Sequence, residues 1–302
     1  MPSFILFTPY IVNVIPPISA GFGLYGGGTS SSVVYATTEK YDFQTKVVIG
    51  STNLLVSRSD LAAVSNYTLG IFGGGITSAS VFTNVTDKYI HATSAITKGT
   101  NLRSSDAGTS TIGNATVGLF CGGNPFVNSA KVDRYLYATD GRTSGTTLAI
   151  GKYQAAGASN SVFGIIAAGA TTTAMTATLT SDKYTFTTNA RTSTTSMGYT
   201  RYGLQCAGNT EYCIFVGGET NALITEKYVF ATAAVSGGTA LKVNRYGGAA
   251  AGDSNQAVFV GGGTSLSTEV YNFADATVGT GTNLGGLRTL PAGLSSTPGG
   301  FF

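Results

Sequence analysis

Tryptophan is absent from this 302-residue chain, histidine occurs once and cysteine three times. The lone His91 excludes a histidine-built metal site and leaves a serine nucleophile without a dispersed base. The three cysteines, Cys121, Cys206 and Cys213, are too few and too odd for a disulfide framework, and they leave the redox compartment open. Charged residues make up only 10% of the chain, with a formal net charge of +3. With no basic run and no acidic tail, the electrostatic footprint of a nucleic-acid binder is missing. No glycine is followed by Gly-Lys-Ser/Thr and no Gly-x-Ser-x-Gly elbow occurs, which removes phosphate loops and the usual serine hydrolases. The first twenty residues, MPSFILFTPYIVNVIPPISA, are apolar but carry no base, a poor fit to a secretory signal. Pro9, Pro16 and Pro17 break any membrane helix there, and the run is too short to span a bilayer.

What the chain has is a repeat. Glycine pairs or their equivalents close apolar runs at Gly26-Gly27, Gly73-Gly74, Gly122-Gly123, Ala168-Gly169, Gly217-Gly218 and Gly261-Gly262, at spacings of 47, 49, 46, 49 and 44 residues. An acid and a tyrosine keep step with them: Glu39 and Tyr41, Asp87 and Tyr89, Asp133 and Tyr135, Asp182 and Tyr184, Glu226 and Tyr228, Glu269 and Tyr271. A base stands between the two in five copies, with Val270 in the sixth. A later base closes each copy: Arg58, Arg103, Lys152, Arg201, Arg245 and Arg288. A period of this length marks a repeat architecture. The fifth copy divides into four strand-like segments at roughly 201–208, 212–217, 225–231 and 235–242. Its second segment is apolar throughout, as a strand covered on both faces must be. Its third alternates, so Glu226, Tyr228 and Phe230 share a face opposite Lys227. Four-stranded units at this period suit the blades of a β-propeller. The first copy lacks its first strand, and Arg288–Ser296 reads as one. The all-β chain therefore closes as a six-bladed ring over residues 21–302, its C-terminal strand completing the first blade, with residues 1–20 as an N-terminal arm.

A glycine doublet after an apolar strand, followed by a tyrosine and another aromatic, resembles the kelch repeat over residues 21–296. Kelch copies usually carry a late tryptophan; here Phe43, Tyr137, Phe186, Phe230, Phe273 and, in the second copy, His91 take up that volume. The resemblance extends to the copper-radical oxidases, whose propeller needs several histidines, so that activity is not expected.

The recurrence of acids and bases in register predicts partly buried pairs, one per blade. Cys206 and Cys213 flank a hairpin expected at Asn209-Thr210, which would set them opposite each other, as a disulfide or as two packed thiols. Sequons stand at Asn66, Asn84 and Asn114, near chance in so Thr-rich a chain. The acids outside the repeat frame, Asp60 among them, form no motif. Loops between the second and third strands vary most, as in Thr29–Thr38, Ile76–Thr86, Asn124-Pro125-Phe126 and Thr171–Thr180, and are where recognition is expected. The sum is a non-enzymatic module with no cofactor and no metal. Its composition resembles bacteriophage structural proteins, which implies a virion component (tail fibre, receptor-binding or decoration) that docks through residues 1–20, self-associates or joins other proteins, and contacts surface glycans. The alternative is a secreted or cell-surface lectin-like propeller; a sugar-acting enzyme is third.

Overall fold

The computed structural model describes residues 21–297 other than 79, 124–128, 172–174, 221–222, 264 and 287. The arm at 1–20, the loop at Asn124-Pro125-Phe126 and the C-terminal Pro298–Phe302 lie outside the described residues. Six four-stranded antiparallel sheets stand in a ring, making a six-bladed β-propeller. From the inner to the outer edge, blade 1 consists of Ala292–Ser295, Phe22–Gly26, Thr38–Asp42 and Val48–Ser51. Blade 2 runs Ala62–Ser65, Leu69–Gly73, Thr86–Ile90, Ala95–Lys98. Blade 3 runs Ser110–Gly113, Val117–Cys121, Val132–Leu136, Gly141–Ser144. Blade 4 runs Ala156–Ser159, Phe163–Ala167, Ser181–Thr185, Ala190–Thr194. Blade 5 runs Gln205–Gly208, Tyr212–Val216, Thr225–Val229, Val235–Gly237, and blade 6 Ala249–Gly252, Gln256–Val260, Thr268–Asn272, Val278–Gly281. The last strand pairs with the first, Gly23 opposite Ser295 and Gly26 opposite Ala292. Beyond the ladder, Phe22 N–H donates to Ser296 Oγ (2.9 Å) and Ser296 N–H to Phe22 O (3.0 Å). Both ends of the described chain thus meet in blade 1, and the ring has no open seam.

The core is a set of layers between neighbouring blades, as in Leu24, Phe72, Tyr89 and Leu294 between blades 1 and 2. The second strands are buried on both faces, which explains their unbroken apolar runs. The glycine doublet sits where the second strand ends. Its first position has φ of 58–71° and its second 90–107°. Blade 4 places Ala168 at the first, where in the other blades a Cβ would press on the base-slot carbonyl; the second is glycine in all six blades. In the first two copies three glycines run together, and the functional pair is Gly27-Gly28 and Gly74-Gly75, one residue later than the sequence count. The extra glycine makes room for the next blade: a Cβ on Gly73 would lie 2.7 Å from the Phe120 ring. Gly169→Ala is therefore expected to cost about 2 kcal/mol or more, against a smaller loss for Gly237→Ala, where a Cβ meets nothing within 4 Å. Equal losses in chemical denaturation would refute the distinction.

Two further expectations need correction. The strands of blade 5 are shorter than read: its inner strand begins at Gln205, because residues 201–204 bend through Gly203 at φ 66°. The hairpin after it turns at Thr210-Glu211, so Cys206 faces Phe215 and Cys213 faces Gly208. The two thiols are free, buried and within hydrogen-bonding reach on a diagonal. Asn209 forces this register, its Oδ1 accepting the N–H groups of Glu211 (2.9 Å) and Tyr212 (3.0 Å). Asn66 and Asn114 do the same in their turns. Their Nδ2 groups then donate to Ala115 O and Ser161 O on the following blade, while that of Asn84 donates to Leu102 O. All three sequon nitrogens are therefore engaged in the scaffold.

Candidate functional site

The repeat acids and tyrosines all lie on third strands, facing the preceding blade. Glu39, Asp87, Asp133, Asp182, Glu226 and Glu269 each meet a base from the connection that leads into their own blade. Arg58–Asp87 (2.5 Å), Arg201–Glu226 (2.6 Å) and Arg245–Glu269 (3.1 Å) are almost wholly buried. Lys152–Asp182 is at 3.3 Å and Arg288–Glu39, which closes the ring, at 2.8 Å. The second carboxylate oxygen takes a backbone N–H of the same connection, as in Gly198 to Glu226 (2.5 Å) and Lys242 to Glu269 (2.6 Å). The Nη1 groups reach carbonyls, Arg58 to Gly74 and Val85, Arg201 to Gly217 and Ile224. The carbonyl of the base accepts from the preceding blade's second glycine, as Gly28 N–H does to Arg58 O (2.8 Å) and Gly218 N–H to Arg245 O (2.8 Å). One residue thus ties two blades, its backbone to one and its side chain to the next. The tyrosines extend the tie: Tyr89 meets Ser51 (2.8 Å) and Tyr228 meets Thr194 (2.6 Å), each on the outer strand of the blade before. Tyr41 and Tyr271 are buried in the same face, Tyr184 accepts the Thr146 N–H, and Tyr135 donates to Asp140.

Blade 3 departs from this plan. Gly75 N–H donates to Asp106 O, so the slot filled by a base elsewhere holds an acid. Lys131 neutralises it at 2.8 Å, and Arg103, three residues upstream, swings in to Asp133. Spacing alone had put Arg103 in the slot; the pairing partner is right and the position is not.

The connections also meet at the axis. Two residues after each base slot stand Asp60, Gly108, Gln154, Gly203, Gly247 and Leu290, all with φ between 48 and 66°. Each donates its N–H to the carbonyl of the one before: Gly108 to Asp60, Gln154 to Gly108, Gly203 to Gln154, Gly247 to Gly203, Leu290 to Gly247 and Asp60 to Leu290, at 2.6–2.9 Å. The result is a closed ring of six backbone hydrogen bonds around the mouth of the central channel. Tyrosines lie on two of its three glycines, and Leu290 on Gly247. A Cβ on Gly108 would meet the Tyr153 ring at 2.2 Å, and one on Gly203 the Tyr246 ring at 2.2 Å. Asp60 is buried; it accepts from Tyr153 Oη (2.6 Å) and Gln154 Nε2 (3.2 Å), and Tyr246 Oη donates to Gln154 Oε1 (2.9 Å). Among the described residues seven acids are buried, and Asp60 is the one of them that faces no base. Burial raises its pKa against the pull of those two hydrogen bonds, and the Tyr246 hydroxyl is pushed up to about 12, chiefly by burial and then by Asp60. The cavity enclosed here is about 90 Å³, room for a few waters. Asp60 and Gln154 are buried, while Tyr153 and Tyr246 stay half-buried. None of these was singled out from the sequence. The signal was there: Tyr follows the base at Lys152-Tyr153, Arg201-Tyr202 and Arg245-Tyr246.

His91 packs against Phe22 and Tyr89, neither ring nitrogen finds a partner, and burial brings its pKa down to about 4. It fills the slot that holds Phe43, Phe186, Phe230 or Phe273 in other blades. No family model matches this chain, and no curated protein matches it in sequence. Among solved structures it is similar to that of YjhT, with a TM-score of 0.69 and 13% identity over 86% of this chain and 97% of that one, a likeness of fold.

Proposed function

We propose that this chain is a non-enzymatic structural and adhesion module on a kelch-like propeller, serving in a bacteriophage virion as a tail-fibre, receptor-binding or decoration component. Residues 1–20 are its docking segment toward other virion proteins, and its axial face contacts surface glycans. The observation that carries the reading is where the buried charge goes. Six of the seven buried acids are held by scaffold bases, and both oxygens of Asp60 are occupied by Tyr153 and Gln154. General acid–base catalysis needs such a group within reach of substrate. What remains for recognition is a neutral rim of Ser, Thr, Gly and Asn around the half-buried rings of Tyr153 and Tyr246. Rings of that kind cover the apolar faces of sugars while the polar groups meet hydroxyls.

The same face supports a second reading, a secreted or cell-surface lectin-like propeller. Two measurements separate them. The virion reading expects the full chain to assemble in solution and a chain beginning at Ser19 to be a folded monomer, with localisation on a particle outside the cell. Both readings expect glycan-array binding that Tyr246→Ala weakens by about tenfold, the worth of one stacked, hydrogen-bonded ring. A monomeric full chain with glycan binding favours the lectin; turnover of a bound glycan would overturn both.

A further inference from the structure

Blade 1 differs from the other five along its outer edge. The outer-strand residue paired with the centre of the third strand is Ile49 in blade 1, and Thr97, Thr143, Thr192, Ser236 and Gly279 in blades 2 to 6. Two residues earlier stands Val47, where blades 2 to 6 have Ala95, Gly141, Ala190, Ala234 and Thr277. Ile49 is 56% exposed and Val47 51%, and among the described residues Ile49 is the only exposed large apolar side chain on an outer strand. The two share a face, since alternate residues of a strand point the same way. With Phe22 and, from blade 2, His91 and Ala92, they line a cleft of about 380 Å³ between blades 1 and 2. Its charged groups are already held. Lys40 Nζ donates to Ser94 Oγ (2.6 Å) and lies over the Phe22 ring (4.5 Å), and Asp42 Oδ1 accepts the N–H groups of Gln44 (3.0 Å) and Thr45 (2.6 Å). What the rim leaves uncovered is the hydrocarbon of Val47 and Ile49.

The chain enters blade 1 beside this cleft. Gly21 O accepts the Phe43 N–H (3.1 Å), and the next residue, Phe22, is a wall of the cleft. The outer strand lies two places, roughly 10 Å, from the strand that Phe22 opens. About three extended residues cross that span. Ile18 stands three residues before Gly21, and Ile11, Val12, Val14 and Ile15 precede it in a stretch without a charged side chain. The blade from which residues 1–20 depart is thus the one blade whose edge is apolar.

We propose that the cleft between blades 1 and 2 is the seat of the chain's own residues 11–18, whose aliphatic side chains cover Phe22, Val47 and Ile49. The segment is thereby anchored to its own blade, and residues 1–10 are what is left to reach another protein. The anchor adds to the docking reading without depending on it: a full chain that stays monomeric ends that reading and leaves the anchor standing. The experiment is paramagnetic relaxation in the full-length protein with a nitroxide on Ile49→Cys; Cys121, Cys206 and Cys213 are buried and do not compete for the label. Amide signals of residues 11–18 are expected to broaden. A label on Thr192→Cys, the same position in blade 4, should leave them sharp. An isotope-labelled chain mixed with a spin-labelled chain of natural isotope content should also stay sharp, which separates contact within one chain from exchange with a second copy. Because the label itself occupies the rim, a second measurement uses none. Thermolysin cleavage before Ile15 in the full-length protein should be about tenfold faster in Ile49→Thr, as the loss of one buried aliphatic side chain allows, and unchanged in Thr192→Ala. Sharp signals from residues 11–18 with the label on Ile49→Cys, equal broadening from Thr192→Cys, broadening as strong in the mixture, or unchanged cleavage in Ile49→Thr would each overturn the proposal.

Discussion

Glu226→Ala is expected to lower the unfolding free energy by about 3–5 kcal/mol, the cost of stranding a buried cation. The Arg201 guanidinium is wholly buried, its pKa already lowered by burial against the pull of Glu226. Removing Glu226 leaves that charge with only the carbonyls of Gly217, Ile224 and Phe215 and frees the Gly198 N–H. Glu219→Ala, on an exposed loop of the same blade, should stay within about 0.5 kcal/mol. The double substitution Arg201→Met with Glu226→Leu should recover most of the loss, because a buried pair replaced by apolar groups of similar volume is often neutral. Chemical denaturation of the four proteins decides. Similar small losses for Glu226→Ala and Glu219→Ala would mean that the pairs contribute little and that the ring is held by its apolar layers alone.

His91→Phe is expected to be more stable than the parent, and by a margin that grows as the pH falls. Folding depresses the imidazole pKa from its ordinary value of about 6.5 to about 4. The folded state therefore resists a proton that the unfolded chain accepts. The stability tied to the neutral ring is complete above pH 6.5 and is lost as pH falls toward 4, which amounts to about 2 kcal/mol by pH 5. The ordered cause is burial first, then the nearby positive charge of Lys40. Phenylalanine has no proton to take up and fits a slot that Phe43, Phe186, Phe230 and Phe273 already occupy. Thermal unfolding at pH 7, 6 and 5 reads the gap directly. A gap that does not widen on acidification would show that His91 titrates normally in the folded ring.

The blade count and the ring closure were legible in the sequence because each depends on a side chain or glycine that recurs: the doublet, the acid, the tyrosine, the apolar second strand. What escaped depends on backbone. The axial ring is made by N–H and C=O groups, so Asp60, Gly108, Gln154, Gly203, Gly247 and Leu290 share a conformation without sharing a side chain. No pattern search through side-chain chemistry finds such a set. In blade 3 the spacing drew Arg103 into the repeat, although a compensated inversion, Asp106 with Lys131, had taken the slot. The thiol register was missed for want of one turn residue, since Asn209 accepts from both Glu211 and Tyr212 and moves the tip of the hairpin by one position. Val270 was visible as an exception in the repeat. Strand pairing sets it between Val258 and Gly279, at the position where the other five blades carry a base.

The peptide groups of the axial ring all donate in one rotational sense. Dipoles laid head to tail around a closed hexagon cancel in its plane, unlike those of a helix, which add along an axis. The in-plane parts of these dipoles therefore cancel at the mouth of the channel. The mouth offers an arriving molecule no spare ring N–H, since every one is already given to a neighbour. Whatever preference this end has must be written by the three ring positions with a side chain, Asp60, Gln154 and Leu290, and by the tyrosines laid over two of the glycines. A neutral, self-satisfied frame of this kind lets three substitutions respecify a binding surface while the frame that carries it stays the same.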